Sequence, residues 1–159
     1  MNEHKHDPHA ATPERVLQIT SGAWATGILG AAVTNKVFAQ LSKGPATPDE
    51  LAAKAGLAPR GARAVLDGLH AIGLVTLAGG KYANAPDADA FLVEGRPAYL
   101  GAYVEFMCRE NARWERLPEA VKTGEPQLPQ TADVPENPFW EGLVPAIAVL
   151  AAPLAEAAV

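Results

Sequence analysis

The chain has 159 residues, 48% apolar and 19% charged, enough for one domain with a hydrophobic core and too apolar for wholesale disorder. Its formal net charge of −5 argues against a dedicated nucleic-acid binder. A single cysteine, Cys108, rules out an internal disulfide framework and suits a reducing cytoplasm.

No signal peptide is expected, because the first nine residues are polar and no apolar run follows them directly. The apolar stretch 142–155 is broken by Pro145 and Pro153 and is too short for a membrane span. Residues 1–12 carry His4, His6 and His9. Spaced histidines can ligate a transition metal, but no carboxylate or cysteine cluster nearby completes a site. The segment is read as a mobile arm.

Thr12-Pro13-Glu14-Arg15 has the form of a helix start, with a threonine cap and proline at the first helical position. No charged side chain stands between Arg15 and Lys36. A helix without a polar face is buried on several sides, and one small domain cannot bury it alone. A homodimer is therefore expected, with Trp24, Ile28, Leu29 and Val33 in its seam. Gly27 and Gly30 predict a break or bend between them.

Ser42-Lys43-Gly44-Pro45 is a turn. Thr47-Pro48-Asp49-Glu50 is a capping box, and the helix it opens stops at Gly56. A second helix starts at Leu57-Ala58-Pro59 and ends at Gly73. Its apolar positions Ala62, Val65, Leu66, Leu69 and Ile72 share one face. The pair forms a helix-turn-helix. Leu74-Val75-Thr76-Leu77, the turn Gly79-Gly80 and Lys81-Tyr82-Ala83 predict a β-hairpin directly after it, which makes the unit a winged helix.

A short helix is expected over residues 87–93 and a longer one opening at Pro97, with a restart or kink at Pro118 and a stop at Thr123-Gly124. Four prolines mark residues 125–138 as an extended linker. Residues 139–159 predict an Ala/Leu/Val helix interrupted by Pro145 and Pro153. Because that apolar helix ends without a cap, the chain is expected to have continued.

No glycine-rich dinucleotide fingerprint and no phosphate loop is present. Cys108 and the distant His70 do not make a nucleophile set; Cys108 reads as a packed small hydrophobe and His70 as a surface or half-buried group. Over residues 45–85, Lys54, Arg60, Arg63 and Lys81 oppose Asp49, Glu50 and Asp67. That leaves one net positive charge, thin for a domain that must offset several phosphates. Tyr99, Tyr103 and Phe106 are spaced for one helical face with Leu100 and Met107 beside them. Such a stripe is either core or the wall of a pocket for a flat organic ligand.

Four stretches together resemble the N-terminal domain of S-adenosylmethionine-dependent small-molecule O-methyltransferases. They are the buried first helices into Asn35-Lys36-Val37-Phe38-Ala39-Gln40-Leu41, then Thr47-Pro48-Asp49-Glu50-Leu51-Ala52, then the segment from Arg63 to Val75. The last runs from Trp114-Glu115-Arg116-Leu117 to Pro138-Phe139-Trp140-Glu141. The resemblance implies a mainly α fold: a winged helix-turn-helix with a small hairpin wing and additional N- and C-terminal helices, in an intertwined dimer. It implies a dimerisation domain over residues 13–124, a linker over 125–138 and a connecting helix over 139–159 toward a Rossmann-like domain that the chain lacks. It places Tyr103, Phe106, Met107 and Trp140 in the wall of a pocket for a small, aromatic or polyketide-like hydroxyl acceptor. S-adenosylmethionine is implied for the full-length enzyme and is not expected to bind this chain alone. No catalytic residue, metal, nucleic acid or membrane is implied. A winged-helix transcriptional regulator shares the middle two stretches and is the alternative.

Overall fold

The computed structural model describes residues 11–127 and 138–156. The histidine-bearing arm and most of the proline-rich linker lie outside the described residues. The chain order is α1 (Glu14–Thr34), α2 (Val37–Leu41), α3 (Pro48–Ala55), α4 (Pro59–Ala71), β1 (Val75–Ala78), β2 (Lys81–Asn84), α5 (Pro86–Phe91), α6 (Gly101–Trp114), α7 (Leu117–Thr123) and α8 (Pro138–Glu156). It is a mainly helical fold with one small antiparallel sheet.

α1 is continuous through Gly27 and Gly30, contrary to the expected break. Glycine in a helix costs backbone entropy, and here tertiary contact offsets it. A Cβ on Gly30 would collide with the Cys108 sulfur on α6, so the missing side chain lets the two helices approach. The chain turns instead at Asn35–Lys36. Lys36 takes a left-handed φ of 54°, and the Asn35 side-chain amide donates to the Ala31 carbonyl at 2.8 Å. The start also differs by one residue: Pro13 holds the cap position and makes no side-chain cap bond.

The capping box of α3 forms as its residue spacing requires. Thr47 Oγ1 accepts from the Glu50 amide at 3.2 Å, and a Glu50 carboxylate oxygen accepts from the Thr47 amide at 2.8 Å. Gly56 closes α3 at φ 67°. α4 begins with Pro59 in its first turn and buries Ala62, Leu66 and Leu69. The hairpin pairs Val75 with Asn84 and Ala78 with Lys81. Gly79 and Gly80 both take positive φ, 56° and 77°, as a two-residue turn of matching twist demands. Ala46 adds a bridge to Tyr82, and Lys81 reaches back to Glu50 at 3.2 Å, tying the hairpin to the start of α3.

Phe38, Leu51, Leu66, Leu69, Val37 and Val75 are fully buried and form the centre of the core. The C-terminal part of α1 joins it through Ala32 and Val33. The N-terminal part does not: Val16, Leu17, Ile19 and Trp24 are 60–74% exposed. By length and composition alone, α1 is long and apolar enough to cross a membrane, whereas 142–155 is not. Three further expectations fail locally. α5 ends at Phe91, and α6 opens at Gly101 rather than Pro97, because the Leu100 amide turns back to the Phe91 carbonyl at 2.7 Å. α8 runs through Pro145 and Pro153 without interruption; each proline removes one backbone donor, and the helix tolerates the loss.

Candidate functional site

Phe106 and Met107 stand on α6, which packs against both α1 and α8. Gly142 allows the close approach of α8, since a Cβ there would meet the Arg109 guanidinium at 3.0 Å and the Phe106 ring at 3.2 Å. Phe106 then meets Phe139 edge to face, with centroids 5.6 Å apart, and Phe139 meets Trp140 in the same way at 5.3 Å. Aromatic pairs favour this geometry because ring edges are positive and faces negative.

Beside these rings a mainly apolar cavity of about 460 Å³ opens between α6, α7 and α8, a size suited to a small organic ligand. Phe106, Met107, Trp114, Leu117 and Phe139 supply its apolar wall, and Glu110, Arg113 and Arg116 its charges. Arg113 lies over the Phe139 ring, 5.1 Å from its centroid, and pairs with Glu110 at 2.9 Å. Arg116 forms no ion pair with any described residue. The charged wall was missed in the sequence because charges at the end of a helix read as a solvated face. A signal existed: Phe106, Glu110, Arg113 and Leu117 are spaced 4, 3 and 4, one continuous helical face.

Of the expected pocket residues, the structure brings Phe106 and Met107 to this cavity. Trp140 touches it only through Phe139, and Tyr103 does not line it. Tyr99, expected on the same stripe, precedes α6 and lines a separate small recess with Lys36, Phe38 and Leu92, where burial raises its phenol pKa. Of the expected seam, Trp24 is 74% exposed and Val33 only 5%. Ile28 and Leu29 are half-buried against their own core; the Ile28 side chain fills the space above Gly68.

Three further polar side chains tie elements of the fold together. The Tyr82 hydroxyl donates to Asp67, which holds its pKa above the usual value. His70 donates from Nδ1 to the Val75 carbonyl at 3.1 Å, since a carbonyl can only accept. Cys108 donates to the Thr26 carbonyl at 3.5 Å. Among the described residues no group of histidines, cysteines or carboxylates could hold a metal ion. The charge of the cavity disfavours S-adenosylmethionine: with Glu110 paired to Arg113, the guanidinium of Arg116 is left to face a sulfonium cation.

A helical fold whose first helix leaves large apolar side chains uncovered has the character of an association domain. Residues 17–94 match the O-methyltransferase dimerisation domain, and this part of the chain belongs to that family. The chain is 34% identical over 146 residues to 3-hydroxy-5-methyl-1-naphthoate 3-O-methyltransferase of Streptomyces sahachiroi, covering 86% of this chain and 42% of that protein. It is 38% identical over 123 residues to the tetracenomycin polyketide synthesis 8-O-methyl transferase of Streptomyces glaucescens, covering 76% and 36%. The crystal structure of a putative O-methyltransferase from Nostoc punctiforme superimposes with a TM-score of 0.78 at 26% identity, covering 91% of this chain and 44% of that one. The chain thus spans less than half the length of these relatives.

Proposed function

We propose that this chain is the dimerisation and acceptor-lining part of an S-adenosylmethionine-dependent O-methyltransferase acting on a small aromatic or polyketide-like hydroxyl compound in the cytoplasm. In this reading residues 13–124 form the dimerisation domain, 125–138 the linker, and 139–159 the connection toward a cofactor-binding domain. The helix-turn-helix and hairpin form a winged helix that is a scaffold and not a DNA reader. α1 intertwines with a second copy. Phe106 and Met107 line the acceptor cavity directly, Trp140 backs it through Phe139, and Tyr103 stands one turn before Met107 on α6.

The observation that carries the reading is the aromatic cavity between α6, α7 and α8 in a chain whose relatives include a naphthoate methyltransferase. Its chemical part is placement. Holding a flat ring against Phe106 and Phe139 fixes where the acceptor hydroxyl points, and fixed geometry supplies much of the rate of a group transfer. Proton removal and methyl donation are assigned to no residue of this chain. It is expected to give no saturable calorimetric signal with S-adenosylmethionine; micromolar binding would contradict that assignment.

Trp114 on the cavity wall is 63% exposed and reports occupancy. A naphthol titrated into the chain should quench its fluorescence saturably, and the quench should be lost in Trp114→Phe. A linear, non-saturating response would refute an acceptor site. For the regulator alternative, random duplex DNA at low salt should not bind. Binding that weakens steeply with salt and vanishes in Arg60→Ala/Arg63→Ala would favour the regulator.

A further inference from the structure

The cavity of about 460 Å³ has a neighbour. A second hollow of about 450 Å³ lies along the same seam between α6 and α8 and is the more polar of the two, with Arg109 and Glu141 on its side. Phe106, Glu110, Arg113 and Phe139 line both hollows, and side chains that face two hollows at once form the wall between them. The Phe139 ring is fixed in that wall by three groups. Phe106 meets it edge to face at 5.6 Å, Trp140 backs it at 5.3 Å, and the Arg113 guanidinium lies 5.1 Å from its centroid. Arg113 is itself tethered to Glu110 at 2.9 Å. A cation over a ring face is held by the ring quadrupole, and a tethered cation holds the ring in return.

We propose that Phe139 is the specificity-determining residue of this site: its ring, held by Arg113, divides the seam and sets the length of ring system that the acceptor cavity admits. The inference rests on the acceptor-site reading above and adds to it the residue that limits ligand length. Phe106 is buried, so the wall cannot open there without exposing the α6–α8 contact. Phe139 is only half-buried, in the first turn of α8, and its removal joins the two hollows. Arg113 is a positioning residue that acts through the Phe139 ring, and Glu110 anchors it. While the partition stands, a ligand longer than the first hollow leaves its last ring in solvent and gains nothing from it.

The test compares a naphthol with the phenyl-naphthol that carries one further ring in line, each titrated calorimetrically into the full chain at neutral pH. In the unaltered chain the two affinities should be about equal. In Phe139→Ala the extra ring enters the second hollow, and the longer compound should bind at least about tenfold more tightly than the naphthol, the scale of burying one ring. Arg113→Gln leaves the ring in place but releases it, and should raise the ratio about two- to fivefold, the scale of one exposed cation–ring contact. Arg113→Lys keeps a cation over the ring and should hold the ratio near one. Circular dichroism of each variant checks that the helices persist. A tenfold preference for the longer compound already in the unaltered chain, or a ratio that neither Phe139→Ala nor Arg113→Gln moves, would overturn the partition and leave the acceptor site standing. Saturable binding of neither compound to the unaltered chain would overturn the acceptor site itself, and this inference with it.

Discussion

Gly30 and Cys108 meet where α1 crosses α6, and only hydrogen fits between them. Gly30→Ala should destabilise the chain by about 1–3 kcal/mol, the usual cost of overpacking, even though alanine is the better helix former. Adding Cys108→Ala should recover most of that loss; urea unfolding of the single and double variants measures both. The contact explains why this glycine does not break the helix as its local sequence predicts: its partner lies far along the chain and leaves no local trace. Tyr82 and Asp67 make the second residue-scale prediction. Because folding raises the phenol pKa, their contribution is complete below the ordinary tyrosine value of about 10 and is lost as pH rises through the folded value. Tyr82→Phe should cost about 1 kcal/mol at neutral pH and flatten the alkaline side of the stability profile. An unchanged alkaline slope would contradict the assignment. In the site, the aromatic half was legible because apolar residues declare themselves by period. Arg116 was not, because an exposed arginine gains meaning only from the cavity that faces it.

At the scale of elements, α3 shows how local chemistry fixes a boundary. Thr47→Ala removes one of the two reciprocal cap bonds and should lower stability by about 1 kcal/mol, read as a shifted urea midpoint with unchanged slope. The Thr47 amide and then the Lys81 ammonium depress the Glu50 pKa. That contribution is present above the ordinary glutamate range and is lost as pH falls through the folded value; Glu50→Gln should make the acid limb shallower. These elements were legible because their determinants lie within four residues of each other: the capping box, proline in the first turn of α3 and α4, and the Gly79-Gly80 turn. The start of α6 and the passage of α8 through two prolines were not, because the backbone bond from Leu100 to Phe91 and the packing on α6 decide them.

For the whole molecule, the unresolved demand is the apolar N-terminal part of α1. Val16, Leu17, Ile19 and Trp24 stand open in a single chain, and each large side chain removed from water is worth about 1.5–3 kcal/mol. In the proposed reading a second copy covers that face, and residues 17–94 match a family described as a dimerisation domain. The position of the test charge matters. Leu29→Glu strikes a residue packed on its own core, so it should unfold the chain as readily as it separates two copies. Leu17 is 60% exposed, so Leu17→Glu should weaken association at least tenfold while leaving helix content intact. Retained association in Leu17→Glu would move the seam elsewhere. The measurement that decides most directly is sedimentation equilibrium of the full chain at micromolar concentration. A mass twice that of the 16.6 kDa chain, falling to the single-chain mass in Leu17→Glu, is the expected result. A stable monomer throughout the micromolar range, with α1 still helical, would contradict the assignment of this chain as a dimerisation unit.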